Sequence, residues 1–148
     1  MLVSEENILE LIPQRPPMVM IDRLMSCDEK QVVTELLIRP DNIFIDHKGF
    51  TSPGLMENIA QSAAARTGYL LKNQTGELNK KAPIGVIGSI KNFRLNFQPP
   101  VGSLIRTTVT IEHEVLTATV VKGKVEVNEK LAAECELQIF LTEEQARS

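Results

Sequence analysis

Apolar positions along the chain form short blocks near the start, one long block near the middle and an alternating series towards the end. Ser4, followed by glutamates and then Ile8, Leu9, Leu11 and Ile12, predicts a short capped helix, stopped by Pro13 because proline disfavours helix in the residue before it. Residues 18–25 and 31–38 are rich in Val, Ile and Met and flank the turn-prone Cys27-Asp28-Glu29-Lys30, the pattern of a β-hairpin. Residues 41–50 mix Asp, Asn, Gly and apolar positions without a period and predict an irregular loop.

The long block predicts a helix from Pro53 to about Lys72, with Ser52 supplying the N-cap oxygen and Pro53 at a position where its missing N–H is no loss. Leu55, Met56, Ile59, Ala60, Ala63, Ala64, Ala65, Tyr69, Leu70 and Leu71 cover much more than one stripe of it, so the helix must be buried on most sides. From residue 84 onward the pattern is strand and turn: 84–96, 104–116, 118–127 and 131–141, with a break at Gln98-Pro99-Pro100-Val101-Gly102. In the last of these Leu131, Ala133, Cys135, Leu137, Ile139 and Leu141 share one face. Periodicity therefore predicts an α+β fold, an antiparallel sheet with a buried helix. No repeat or linker divides the chain, and 148 residues suit a single domain, 1–148.

Composition narrows the function classes. A net charge of −3, with lysines and arginines scattered, gives no surface for nucleic acid. The first ten residues carry Glu5, Glu6 and Glu10 and no signal-like apolar run, and no segment reaches membrane-spanning length, so a cytoplasmic location is expected. Cys27 and Cys135 lack metal or redox spacing and read as reduced core residues.

Three segments carry a family likeness. Leu11-Ile12-Pro13-Gln14-Arg15-Pro16-Pro17-Met18-Val19-Met20-Ile21-Asp22-Arg23 resembles the "LPHRxPFLLVDR" opening of bacterial 3-hydroxyacyl carrier-protein dehydratases. Glu57-Asn58-Ile59-Ala60-Gln61 resembles their "EAMAQ" helix segment, and Val86-Ile87-Gly88-Ser89-Ile90-Lys91-Asn92-Phe93-Arg94 with Pro100-Val101-Gly102 resembles their "AGIDKARFKRPVVPGD". The likeness spans residues 11–141 and implies a hot-dog fold, a curved antiparallel sheet wrapped around a long central helix. There are departures. The family histidine lies in a "GHFP" loop fourteen residues before the helix carboxylate, which here falls on Ile43; the nearest histidine is His47, ten residues before Glu57. Gln14 stands where the opening motif has histidine, and Pro53-Gly54 lies two residues closer to the carboxylate than the family's "PG". The chain looks like a divergent branch, similar to the dehydratases of polyene or resorcinol lipid pathways.

Elimination of water from a 3-hydroxyacyl thioester needs a base for the α-proton, an acid for the departing hydroxyl and donors for charge on the thioester oxygen. The resemblance implies that Glu57 is the carboxylate and His47 the base, that the substrate rides on acyl carrier protein, and that two copies complete the site as a homodimer or higher assembly. It implies no cofactor and no metal. The free N–H groups at the helix start, at Ser52, Pro53 and Gly54, offer a place for the thioester oxygen, although proline itself has no N–H to give. Gln61, one helical turn after Glu57, would orient the carboxylate or bond the substrate. Without the resemblance Glu57 also reads as an ordinary acid of the first helical turn, and His47 as a solvent-facing loop residue. His113 shares strand parity with Val109, Ile111 and Val115, which places it on the apolar face as a core or interface histidine. Lys91, Arg94, Arg15 and Arg23 are candidates for meeting an acidic carrier. An acyl thioesterase, or a noncatalytic acyl-binding subunit, is the alternative to a dehydratase.

Overall fold

A computed structural model describes residues 1–75, 84–115 and 118–142. One 24-residue helix, α1 (Ser52–Thr75), packs against an antiparallel sheet built from β1 (Arg23–Cys27), β2 (Gln31–Leu37), β5 (Ile84–Leu95), β6 (Leu104–Val115), β7 (Ala118–Val127) and β8 (Lys130–Thr142). The spatial order is β1-β2-β6-β7-β8-β5, so β1 and β5 are the edges. A two-residue hairpin, β3 (Ile45–Asp46) with β4 (Gly49–Phe50), lies within the predicted loop and leads into the helix.

Burial of α1 follows the all-round apolar pattern: Leu55, Asn58, Ile59, Gln61, Ser62, Ala63, Ala64, Ala65 and Arg66 are all buried. The alanines let the sheet come close, and at Gly123 of β7 the approach is tight. A β-carbon there would sit 2.5 Å from Ile59 Cγ2. Inward residues Ile105, Val109, Val121, Val125, Cys135, Leu137 and Ile139 complete the core beneath the helix. The buried Arg66 ties the helix to the β1–β2 turn, donating to the carbonyls of Glu29 (2.5 Å) and Asp28 (3.4 Å) and pairing with Glu114 at 3.4 Å. That turn is itself closed by Asp28, whose carboxylate accepts the N–H groups of Lys30 and Gln31, both at 2.8 Å.

Several sequence expectations need correction. The helix expected after Ser4 is only a 3₁₀ turn, Ile8–Glu10, because Leu2 and Val3 are drawn into pairing with Leu24. Residues 18–22, expected as strand, are extended but unpaired until Arg23. His113 does not face the core: a bulge between Ile111 and His113 reverses the strand's parity, so His113 lies opposite Val120 and is exposed. The same reversal turns Glu114 towards Arg66. A second irregularity, between Val125 and Glu126, pairs Leu131 with Glu126 and removes it from the face of Ala133 and Cys135. The side chain of Leu141 lies outside the described residues. Cys27 and Cys135 are free thiols, each raised by burial to about 11.

Candidate active site

Helix α1 begins where the hairpin lets go of the chain. Thr51 is held to the hairpin by two bonds to the Phe44 carbonyl, from its N–H (2.8 Å) and its hydroxyl (2.7 Å). The Thr51 carbonyl then accepts the Leu55 N–H at 3.0 Å, so Ser52, the expected N-cap, is instead the first helical residue. Pro53 is exposed, Ser52 half-buried, and Gly54 buried, with a position for a β-carbon only 2.6 Å from the Phe50 ring and 2.7 Å from Phe44 Cβ. Glycine is required at 54 because those aromatic side chains occupy the space.

Counting from Ser52 puts Glu57 in the second turn rather than the first. The helix-dipole and capping reasons for an ordinary acid there therefore lose their force. Glu57 is half-buried, and its Oε1 accepts a hydrogen bond from Gln61 Nε2 at 3.0 Å. Gln61 is fully buried and reaches across to the extended segment: its Oε1 accepts the Met20 N–H at 2.6 Å and its Nε2 donates to the Met18 carbonyl at 2.8 Å.

Asn58, which the sequence reading passed over, shares this work. Its Nδ2 donates to the Met20 carbonyl at 2.7 Å, and its Oδ1 accepts the Thr107 hydroxyl at 2.5 Å. The Asn58 carbonyl accepts the Ser62 hydroxyl, which meets that of Thr34, both at 2.7 Å. The signal was present, since an amide inside an otherwise apolar helix must find partners when buried.

His47 is exposed in the turn joining β3 to β4, and among the described residues no hydrogen bond joins it to Glu57. Its neighbour Asp46 accepts the Lys48 N–H at 2.8 Å and the Gln98 amide at 3.1 Å. The Lys48 bond foremost, then the Gln98 bond and the nearby His47, hold Asp46 below the ordinary aspartate range. Ile43, where the family histidine would fall by count, is 48% exposed. A separate cavity of about 340 Å³ is lined by Ile8, Leu9, Val19, Ile21, Asp22 and Arg39 among others, and neither Glu57 nor His47 borders it. Among the described residues no three His, Cys, Asp or Glu side chains gather where they would share a metal ion, and no helix is long and apolar enough to cross a membrane. Two of the candidate carrier-facing cations pair with glutamates on neighbouring strands, Arg94 at 3.9 Å from Glu134 and Arg23 at 3.8 Å from Glu35.

Comparison with solved structures places the fold. The dehydratase heterocomplex ApeI:P from Xenorhabdus doucetiae aligns with a TM-score of 0.77 at 13% identity, over 93% of this chain and 92% of that one. An HP0420 homologue from Helicobacter felis aligns at 0.65 and 16% identity, over 94% and 90%. Cj0977, a sigma28-regulated virulence protein from Campylobacter jejuni, aligns at 0.66 and 15% identity, over 93% and 89%. At these identities the likeness shows the fold alone: the single long helix on a large antiparallel sheet is the hot-dog arrangement. No curated protein matches the sequence significantly. The family described as ApeP-like, ApeP dehydratase, matches residues 6–148. That match covers nearly the whole chain, Glu57 and its amide partners included, and the chain therefore belongs to the ApeP-like dehydratase family, a divergent family of hot-dog dehydratases.

Proposed function

We propose that this chain, acting as one hot-dog domain in the cytoplasm, dehydrates a 3-hydroxyacyl thioester on acyl carrier protein to the trans-2-enoyl thioester. The observation that carries the reading is Glu57 itself: a half-buried carboxylate on the central helix, with one oxygen engaged and no helix-start reason to be there. In this reading Glu57 is the acid for the departing hydroxyl and His47 the base. The helix start at Ser52, Pro53 and Gly54 receives the thioester. The base takes the α-proton, the electrons of that C–H bond form the double bond, the Cβ–O bond breaks, and the hydroxyl leaves as water with the Glu57 proton. Return of one proton from the base to the carboxylate restores both groups.

A second copy is part of the proposal. The edge strand β5 has a backbone row without a neighbour strand, and its inward residues Ile90 and Leu95 are 40% and 41% exposed in the single chain. Pairing along such an edge is the ordinary way an isologous dimer closes a sheet. The exposure of His47 favours a second reading, in which this chain binds the acyl group without turning it over and works beside an active hot-dog partner, as in the similar ApeI:P heterocomplex.

Incubation of the pure protein with a 3-hydroxyacyl carrier protein, followed by mass measurement of the acyl group, separates these readings. Loss of water supports the dehydratase, loss of the whole acyl group a thioesterase, and no change the noncatalytic subunit. Glu57→Gln should lower turnover by about 10² to 10⁴, the usual contribution of general acid–base catalysis. His47→Ala should be comparably severe and not additive with it, since both groups serve one transition state. Full activity in both variants would remove these residues from the mechanism.

A further inference from the structure

The Gln61 amide has only one workable orientation. Its oxygen must face the Met20 N–H, a donor at 2.6 Å, so the nitrogen faces two acceptors, the Met18 carbonyl at 2.8 Å and Glu57 Oε1 at 3.0 Å. Turning the amide over would set oxygen against two oxygens and an NH₂ against an N–H. Both amide hydrogens are thus committed within the chain, and the residue is 0% exposed, so none is left for a substrate. The consequence falls on Glu57, because an oxygen that already accepts a fixed N–H is the poorer place for a carboxyl proton.

Resting on the dehydratase reading, we propose that Gln61 is a positioning residue that occupies Oε1 of Glu57 and so reserves Oε2 as the atom that delivers the proton to the departing hydroxyl. The second Gln61 hydrogen, fixed on the Met18 carbonyl, sets the direction from which Oε1 is held. The carboxyl is oriented relative to residues 18–20 as well as to its own helix.

The test compares two changes to the same anchored segment. Gln61→Met keeps the length of the side chain but removes the donor to Glu57; Asn58→Leu removes the bond to Met20 without touching Glu57. Gln61→Met should lower kcat about tenfold to a hundredfold with KM unchanged, the effect of losing one hydrogen bond to a charged group. Asn58→Leu should cost stability and much less kcat. In a Glu57→Gln background the Gln61→Met loss should fall below about twofold, because the group it positions is already gone. A measurement that does not depend on the folding of either variant uses the Gln61 side-chain amide protons in ¹⁵N-labelled protein. Glu57→Ala should move one of the two proton resonances upfield and leave the other in place.

An inactive wild type overturns the dehydratase reading and this inference with it. With an active wild type, three outcomes overturn this inference alone: full kcat in Gln61→Met, equal kcat losses in Gln61→Met and Asn58→Leu, or amide protons that ignore Glu57→Ala.

Discussion

Gly123→Ala tests how closely the central helix rides on the sheet. The added methyl would lie 2.5 Å from Ile59 Cγ2, 2.9 Å from Cγ1 and 3.0 Å from Cδ1, all on one fully buried side chain. An isoleucine in a helix has one strongly preferred χ1, so it cannot swing clear at small cost. Overpacking of this kind costs about 1–3 kcal/mol, while alanine for glycine returns about 0.4–1 kcal/mol through the unfolded chain. The net expectation is a loss of about 1–2 kcal/mol, measured by urea unfolding at fixed protein concentration with unchanged slope. Partner substitutions sharpen the test. Ile59→Val keeps two γ-carbons and should not relieve the clash. Ile59→Ala removes them; alone it costs about 2–5 kcal/mol, and combined with Gly123→Ala it should cost less than the sum by about 1–3 kcal/mol. The reasoning fails if Gly123→Ala is neutral in the wild type, or if its cost is the same in the Ile59→Ala background as in the wild type.

Two further outcomes are expected. Asp28, held below its usual 3.8 chiefly by the Lys30 and Gln31 N–H bonds, contributes stability that is full above that value and is lost as pH falls through the lowered one; the stability gap to Asp28→Ala, followed by urea unfolding against pH, should be constant near neutrality and close on acidification. Sedimentation at micromolar concentration should give about twice the chain mass of 16.5 kDa, and Ile90→Lys, which puts a charge on the inward side of the open β5 edge, should shift the protein towards monomer.

The elements of this fold were legible wherever one physical rule governed a segment. The all-round apolar helix and the alternation of Ala133, Cys135, Leu137 and Ile139 both appear as read. What escaped the sequence were single-residue events that shift a period. One extra residue near Glu112 turned His113 outward, and nothing in the local pattern distinguishes that bulge from a regular strand. At the candidate site, the juxtaposition of Glu57 and Gln61 followed from helical spacing, whereas the attachment of Gln61 and Asn58 to residues 18–20 spans about forty positions and is invisible to any local period.

The extended segment ahead of β1 shows why the anchor and the carboxylate share one turn of helix. Val19, Met20 and Ile21 are strand-like residues, yet β1 pairs with β2 only from Arg23 onward, and the buried backbone before it still needs donors and acceptors. Met20 must give one hydrogen bond and receive one within a single residue. A hydroxyl or an apolar side chain would meet at most part of that need, whereas amides carry both functions, and Asn58 and Gln61, three apart on α1, present an Nδ2 and an Oε1 to the backbone of that one residue. Those two amides stand one and four residues after Glu57. The same stretch of helix that substitutes for a missing strand therefore fixes the carboxylate, so a change that loosens residues 18–20 through Gln61 must also release Glu57, whereas one made through Asn58 need not.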